Sequence, residues 1–96
     1  MIYEWDPKKA KANWRKHGVP FDEAASVFLD PLAVTYPDPD HSGPELREIT
    51  IGHSARQRVV FLCHARRGDR TRLISARKVT RRELKQYEEG INEEKE

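Results

Sequence analysis

The sequence predicts an α+β domain with one antiparallel sheet, two N-terminal helices and one C-terminal helix. Helix signals dominate the first thirty residues and return near residue 80, whereas residues 32–79 contain four runs with strand character. This order of elements is typical of a single α+β domain rather than of alternating strand–helix units. The 96 residues are enough for one such domain, which we expect to span residues 1–90.

A short strand and two helices make up the predicted N-terminal part. Residues 2–5 are rich in apolar side chains and predict an edge strand. Asp6 and Pro7 begin the first helix, because Asp caps free N–H groups and Pro fits the first helical position. Pro20 begins a second, shorter helix, and the Asp-Pro pair at 30–31 ends it.

Four strands and a last helix follow. We expect strands over residues 32–36, 46–53, 57–66 and 71–79, with a turn-rich loop over 37–44. Gly68-Asp69 suits a two-residue hairpin turn. Thr80 and Glu83 form a capping box that begins the final helix, which we expect to end at Glu89. Residues 91–96 are acidic and predict a frayed tail.

Charge is distributed unevenly along the chain. Residues 56–85 carry eleven basic and two acidic side chains, whereas the segments on either side carry an acidic excess. A block of this kind attracts phosphates or acidic protein surfaces, and a solvated charged surface is the alternative interpretation.

Composition argues against several other classes of protein. No apolar run approaches the roughly 20 residues of a membrane span. Cys63 is the only cysteine, and one cysteine with four scattered histidines makes a poor zinc site. We therefore expect a cytoplasmic protein with no membrane association, no internal disulfide, no metal and no other cofactor.

Pairing across the predicted hairpin determines which residues share a face of the sheet, because directly opposed residues point to the same side. A two-residue turn at Gly68-Asp69 predicts one face with a polar end, made of Val60, Leu62, His64, Arg66, Ser75 and Arg77. The other face, which includes Phe61, Ile74 and Ala76, is apolar, so we expect helices to cover it.

The preceding turn, near Ala55-Arg56, extends this polar face. A loop of two or four residues places Arg47 opposite His64 and Glu45 opposite Arg66, whereas a three-residue loop turns one strand over. With an even loop, one patch holds six residues: Glu45, Arg47, His64, Arg66, Ser75 and Arg77.

This patch has the chemistry needed to cleave RNA without a metal. Cleavage needs a group that deprotonates the 2′-hydroxyl and cations that stabilise the charge developing on the phosphate. His64 or Glu45 could serve as the base, and arginines donate paired hydrogen bonds to phosphate. His17 is a further catalytic candidate, although a helix-terminal role explains it equally well. Salt bridges at a sheet end are the structural alternative for the patch. We expect RNA contacts from Arg70, Arg72, Lys78, Arg81, Arg82 and Tyr87.

Several stretches together resemble the BrnT family, in order from residue 4 to about residue 89. The most specific are Trp-Asp-Pro at 5–7, Lys-His-Gly-Val at 16–19 and Ile-Ser-Ala-Arg at 74–77. Shorter matches are Phe21-x-x-Ala24, Val27-Phe28-x-Asp30-Pro31, Glu45-x-Arg47, Ile51-Gly52 and Arg82-Glu83-x-x-x-Tyr87-Glu88.

The resemblance implies a RelE-like fold and a toxin of a type II toxin–antitoxin system. Such a toxin cleaves RNA, inhibits translation and growth, and is neutralised by BrnA, a ribbon-helix-helix antitoxin. The complex is expected to repress its own operon, so operator DNA is contacted indirectly, through the antitoxin. Family motif positions correspond to His17, Arg47, Arg77 and Tyr87.

Two alternatives remain at this point. One is a catalytically inactive toxin homologue that acts as an antitoxin partner and co-repressor on operator DNA. The other is a plain nucleic-acid-binding module, which explains the basic block but not the resemblance. A degenerate toxin should have lost the arginines of the patch, and this chain keeps them.

Overall fold

The computed structural model describes residues 1–40, 43 and 45–95, with residues 91–95 described by their backbone. Within those residues it contains five strands, three α-helices and a short 3₁₀ turn. In chain order these are β1 (Ile2–Glu4), α1 (Pro7–His17), α2 (Phe21–Ala25), the 3₁₀ turn (Ser26–Leu29), β2 (Val34–Pro37), β3 (Arg47–His53), β4 (Val59–Arg67), β5 (Arg70–Lys78) and α3 (Arg81–Lys95). The predicted α+β fold, with two N-terminal helices and one C-terminal helix, is confirmed.

The strands form one sheet in the order β1-β5-β4-β3-β2. Strands β2 to β5 pair antiparallel, as predicted. β1 lies at the edge, also as predicted, but it runs parallel to β5. The sheet is therefore mixed at that one edge rather than wholly antiparallel.

The ends of α1 are set by the residues that the sequence pattern indicates. The Asp6 carboxylate accepts a hydrogen bond from the Lys8 backbone N–H at 2.9 Å. Gly18 has a φ of 71°, and its N–H donates to the Trp14 carbonyl at 2.8 Å. Glycine adopts this left-handed conformation at little cost, so the helix ends there.

The beginning of α3 was predicted correctly and its end was not. The Thr80 hydroxyl accepts from the Glu83 N–H, and the Glu83 carboxylate accepts from the Thr80 N–H, which is the capping box. The helix continues past the expected end at Glu89 to Lys95, because Gly90 keeps a negative φ and does not terminate it. Fraying of the tail stays a prediction, and Glu96 lies outside the described residues, as do positions 41, 42 and 44 of the predicted loop.

Helices α1 and α2 cover one face of the sheet, which we call the helical face. Side chains of β4 and β5 are fully or almost fully buried there against the helices. The cluster contains Val19, Phe21, Ala24, Ala25, Val27, Val60, Leu62, Leu73 and Ala76. A Leu or Val buried in this way contributes about 1.5–3 kcal/mol, so this layer is the main source of stability.

Asn13 attaches α1 to β5 through a buried carboxamide. Its Oδ1 accepts from the Ala76 N–H at 3.0 Å, and its Nδ2 donates to the Ala76 carbonyl at 2.9 Å and to the Val19 carbonyl at 3.1 Å. β1 pairs with β5 only over residues 70–72, so Asn13 takes the place of a neighbouring strand at Ala76. Unpaired backbone groups are costly when buried, which explains this residue in the interior of α1.

The opposite side of the sheet, which we call the open face, is covered by α3 at one end only. Tyr87 is 5% exposed and packs with Ile49 and Ile51 against Phe61. Among the described residues, no helix is long and apolar enough to cross a membrane.

Candidate active site

The hairpin between β4 and β5 has the predicted turn but a different register beyond it. Arg67 pairs with Arg70 across Gly68-Asp69, and His64 pairs with Leu73, as expected. The register then shifts, so that Cys63 pairs with Ser75 and Ile74 is the extra residue of a bulge. A bulge inserts one residue into one strand and shifts all later pairs.

Because of the bulge, the residues that share a face of this hairpin differ from those predicted. Arg77 pairs with Phe61, not with Val60, and Ala76 pairs with Leu62. Ala76 lies under the helices, as predicted, but Phe61 lies on the open face with Arg77 above its ring, 4.0 Å from the ring centroid. The prediction that Phe61 and Ala76 share a face is therefore wrong.

The turn between β3 and β4 has an odd number of residues. The Ser54 N–H donates to the Arg58 carbonyl at 2.8 Å, which leaves residues 55–57 as a three-residue loop. Gln57 has a φ of 64° and provides the left-handed residue that such loops use. Arg47 consequently pairs with Ala65, and the predicted pairing with His64 is wrong.

Together, the bulge at Ile74 and the three-residue loop at 55–57 divide the predicted catalytic patch into two groups on opposite faces. Arg47, Ser75 and Arg77 lie on the open face, on which Glu45 also contacts Arg47. His64 lies on the helical face, and Arg66 follows it on the same side of β4.

His64 is buried, and its side chain lies on the helical face. It is 5% exposed, its Nε2 lies 2.7 Å from the Thr50 hydroxyl, and the Phe28 ring meets it edge-on at 5.0 Å. Burial lowers the pKa of His64, against the opposing charge effect of Glu48. A neutral ring on the far side of the sheet cannot exchange protons with a substrate held by Arg47.

The open face carries a group of four arginines at the end near the hairpin turn. We call Arg47, Arg67, Arg70 and Arg72 the arginine cluster. Arg47 and Arg72 flank Ala65 in one row across three strands, and Arg67 and Arg70 form the next row. Two strand spacings are about 10 Å, so guanidinium groups from Arg47 and Arg72 can converge over Ala65 on one phosphate.

Carboxylates only partly neutralise this cluster. Glu45 lies 3.7 Å from Arg47 Nε and accepts from Arg67 at 3.1 and 3.2 Å, and Glu4 lies 4.0 Å from Arg70. Arg72 forms no hydrogen bond or ion pair with any described residue. Arg47 Nε is enclosed and has no hydrogen-bond acceptor within that same part of the chain. The Asp38 carboxylate, which reaches Cys63 on the same face, is a third acidic group at the border of the cluster. Four cations against three carboxylates leave a small excess of positive charge, which suits an anionic ligand.

Polar groups of β2 and β4 border the cluster. Cys63 Sγ lies 3.9 Å from an Asp38 carboxylate oxygen, and burial raises the pKa of the Cys63 thiol. Burial also raises the pKa of Tyr36. Both groups therefore stay protonated at neutral pH, and neither adds charge to the site.

Arg77 is engaged in a pair that attaches α3 to the sheet. It donates to the two carboxylate oxygens of Glu83 at 2.7 and 2.9 Å while its guanidinium lies over Phe61. The hydrogen bonds from Arg77 lower the pKa of Glu83 from 4.5 to about 2. The register that placed Arg77 beside Arg66 is wrong, so the geometric reason for a catalytic Arg77 is lost.

The Arg77–Glu83 pair predicts a specific acid sensitivity. Because the folded pKa of Glu83 lies below its ordinary value of 4.5, the pair stabilises the fold fully above that pH, and this contribution is lost as the pH falls towards about 2. We expect Glu83→Gln to lower the melting temperature at pH 6 and to flatten its decline between pH 5 and pH 3. Glu89→Gln, an exposed change on the same helix, is the control. An unchanged pH profile in Glu83→Gln contradicts the pair.

The remaining predicted residues are distributed over several surfaces. Tyr87 is buried and its hydroxyl donates to Asp30 at 3.0 Å, so it is not available as the predicted RNA contact. His17 ends α1, which packs on the helical face. Lys78 is exposed at the end of β5, and Arg81 and Arg82 are exposed in the first turn of α3, apart from the arginine cluster.

Arg67 is the residue that sequence reasoning missed. Its side chain binds Glu45, the partner that the sequence prediction gave to Arg66. The three-residue loop at 55–57 places Arg67, and not Arg66, on the same face as Glu45, because a one-residue change of register reverses the face of every side chain. The loop Ala55-Arg56-Gln57 has no Gly or Asn to mark a left-handed position, so the sequence carried no signal for this turn.

Comparisons with known proteins agree with this fold. A family model described as the ribonuclease toxin BrnT of a type II toxin–antitoxin system matches residues 5–83. The crystal structure of the Brucella abortus ribonuclease toxin BrnT superposes with a TM-score of 0.67 and 23% sequence identity, over 84% of this chain and 100% of that one. No curated protein sequence shows significant similarity to the chain.

Proposed function

The chain belongs to the BrnT family of ribonuclease toxins of type II toxin–antitoxin systems, and from this premise we propose that it is a metal-independent endoribonuclease with its active site at the arginine cluster. In this proposal Arg47 and Arg72 bind the scissile phosphate, and Glu45 accepts the proton of the 2′-hydroxyl. Arg67 holds Glu45 in place.

One observation carries the assignment. Glu45 lies between two arginines on a solvent-accessible face, and a third arginine, Arg72, lies two strands from Arg47 and has no partner among the described residues. A base and phosphate-binding cations are the two components that cleavage by 2′-hydroxyl attack requires. Of the described arginines that contact the helical face, Arg58 is already bound to Glu23, and Arg66 lies beside the buried His64.

The proposed reaction is a transesterification. The Glu45 carboxylate takes the 2′-hydroxyl proton while the 2′-oxygen attacks phosphorus. The bond from phosphorus to the 5′-oxygen breaks, and that oxygen leaves with a proton from water. The products are a 2′,3′-cyclic phosphate and a 5′-hydroxyl end. The arginines stabilise the charge that develops on the phosphate oxygens, and fixed donors of this kind act most strongly where the charge forms.

The partners follow from the same premise. The family model describes a toxin–antitoxin system, which implies an antitoxin partner. We propose a BrnA-type ribbon-helix-helix antitoxin that neutralises the toxin in the cytoplasm and links it to operator DNA. Cleavage of RNA by the free toxin inhibits translation and arrests growth.

The test is cleavage by the purified chain without its antitoxin. We expect internal cuts in naked RNA or in ribosome-bound messenger RNA, with 2′,3′-cyclic phosphate ends, and we expect EDTA to leave the cleavage of naked RNA unchanged. Both substrates are included so that cleavage confined to ribosome-bound RNA is also detected. No cleavage of either substrate contradicts the proposal and favours the inactive co-repressor. Cleavage of naked RNA that EDTA abolishes contradicts the metal-independent mechanism.

A further inference from the structure

A small cavity lies on the helical face, beyond the edge of the packed helices. It has a volume of about 200 Å³ and is lined by side chains from the 3₁₀ turn and four strands, among them Phe28, Thr35, Glu48, His64, Arg66 and Thr71. The arginine cluster occupies the same end of the sheet on its other side. The proposed cleavage reaction uses none of these residues.

His64 is held rigidly at this cavity. Its Nε2 is bonded to the Thr50 hydroxyl, which in turn lies 2.7 Å from the Thr35 hydroxyl. Nδ1 has no hydrogen-bond partner within the described residues, so one ring nitrogen of a 5% exposed imidazole remains available in a residue that lines the cavity. A bound ligand can supply a hydrogen-bond partner to this nitrogen.

Two charged groups flank His64 along the cavity. Glu48 pairs with His64 in the β3–β4 register, and Arg66 lies two residues further along β4. In the described part of the chain neither side chain forms a hydrogen bond or an ion pair. The cavity thus offers a carboxylate acceptor, a neutral imidazole, threonine hydroxyls and a cation at its solvent side, together with the Phe28 ring.

Size restricts the class of ligand. Pockets for drug-sized molecules measure about 300–1,000 Å³, so a cavity of about 200 Å³ holds one ring system rather than a whole nucleotide. Proteins recognise single-stranded RNA by holding unstacked bases against aromatic rings and by hydrogen bonds to their edges. A base with its sugar and phosphate outside, against Arg66, fits both the volume and the polarity.

We infer that this cavity is a base-binding subsite for guanine. Guanine presents two adjacent N–H donors on its Watson–Crick edge, and a carboxylate accepts two such bonds side by side. Glu48 supplies that carboxylate, and no other base offers the same pair of donors. Arg66 binds the adjoining phosphate, and His64 contacts the ring.

The inference rests on the proposed RNA substrate and deepens it. Arg66 and Arg67 are consecutive residues of β4 whose side chains lie on opposite faces of the sheet. A single strand of RNA that passes around the hairpin end can place its scissile phosphate at the arginine cluster and a nearby base in the cavity. The subsite would then determine which sequences are cut.

The test is titration of the purified chain with the four ribonucleoside monophosphates, followed by the NMR signals of the histidine rings. The chain has four histidines, so the His64 signal can be identified by substitution. We expect GMP to shift the His64 ring and not the His17 ring, and to bind more tightly than AMP, CMP or UMP. Glu48→Gln should lower the affinity for GMP by about tenfold or more, which is the contribution of one bidentate base contact. Glu89→Gln is the matched control and should leave GMP affinity unchanged.

The outcomes separate this inference from the cleavage mechanism. Arg47→Ala should lose RNA cleavage but keep GMP affinity, because the cavity and Arg47 lie on opposite faces. If the chain cleaves RNA but GMP does not shift the NMR signals of the His64 ring, the subsite is overturned and the proposed nuclease activity is retained. Equal binding of the four nucleotides, or unchanged GMP affinity in a folded Glu48→Gln chain, also overturns it.

Discussion

We expect Arg47→Ala to lower the rate of RNA cleavage by about 10²–10³-fold, the usual effect of removing one donor to a developing phosphate charge. Arg47 is the one residue of the arginine cluster that contacts Glu45 and also flanks Ala65. Across Ala65 from it lies Arg72, which has no partner among the described residues. The measurement is a single-turnover cleavage rate on a defined RNA. Arg47→Lys should recover only part of the rate, because lysine cannot donate two parallel bonds to phosphate.

The same substitution should leave the fold intact. The Arg47 side chain is about a third exposed, and its ion pair with Glu45 at 3.7 Å is longer than a hydrogen bond, so its removal breaks no strong interaction. We expect the free energy of unfolding to change by no more than about 0.5 kcal/mol. Arg15→Ala, an exposed change on α1, is the control for loss of one positive charge. An Arg47→Ala chain that melts normally and cleaves at the normal rate removes Arg47 from the active site.

We expect Arg58→Ala to destabilise the fold by about 3–5 kcal/mol, the usual cost of leaving a buried charge without its partner. Glu23 is 7% exposed, and Arg58 donates to both of its carboxylate oxygens. The Ser54 hydroxyl donates to the same group at 2.7 Å. These bonds, with Arg58 first, lower the pKa of Glu23 against the effect of burial. Domains of this size are stable by only about 5–15 kcal/mol, so the loss removes a large part of the total.

Arg56→Ala is the matched control for this prediction. Arg56 approaches the same Glu23 carboxylate at 4.0 Å, but its side chain is 73% exposed, so its removal should change stability little. Thermal melting and urea titration compare the two variants directly. Equal stability of Arg58→Ala and Arg56→Ala would show that the Glu23 carboxylate does not depend on its buried partner.

Local sequence patterns were sufficient to predict the order of the elements and many of their ends. They did not predict the extension of α3 to Lys95 or the 3₁₀ turn that forms the second half of the predicted second helix. The Asp6 cap, the Gly18 end of α1, the Gly68-Asp69 turn and the Thr80–Glu83 capping box all depend on residues within a few positions of one another. Such motifs act through the nearest backbone groups, so they can be identified without knowledge of the tertiary structure.

The candidate site was predictable only in part, because its grouping depends on register. Ile74 as a bulge residue and the three-residue loop at 55–57 each shift the pairing by one position. Each shift moves side chains to the opposite face, so His64 and Arg47 separate although both belong to the predicted patch. The basic block correctly indicated a cationic surface, because charge density does not depend on register.

Two roles depend on contacts between residues distant in sequence. Tyr87 binds Asp30, 57 positions earlier, and Asn13 binds Ala76, 63 positions later. Nothing near Tyr87 in the sequence indicates that its hydroxyl is buried, so its assignment as an RNA contact followed from its position after the basic block. Contacts of this kind become visible only when the packing of the helices on the sheet is known.

The most direct measurement is a crystal structure of the chain with an RNA whose cleavage site carries a 2′-deoxy nucleotide, which prevents attack. The account predicts that the scissile phosphate lies between Arg47 and Arg72, with Glu45 near the 2′ position and Arg77 still bound to Glu83. A phosphate bound at Arg77 with Glu83 released, or a scissile phosphate at His64 on the helical face, would contradict it.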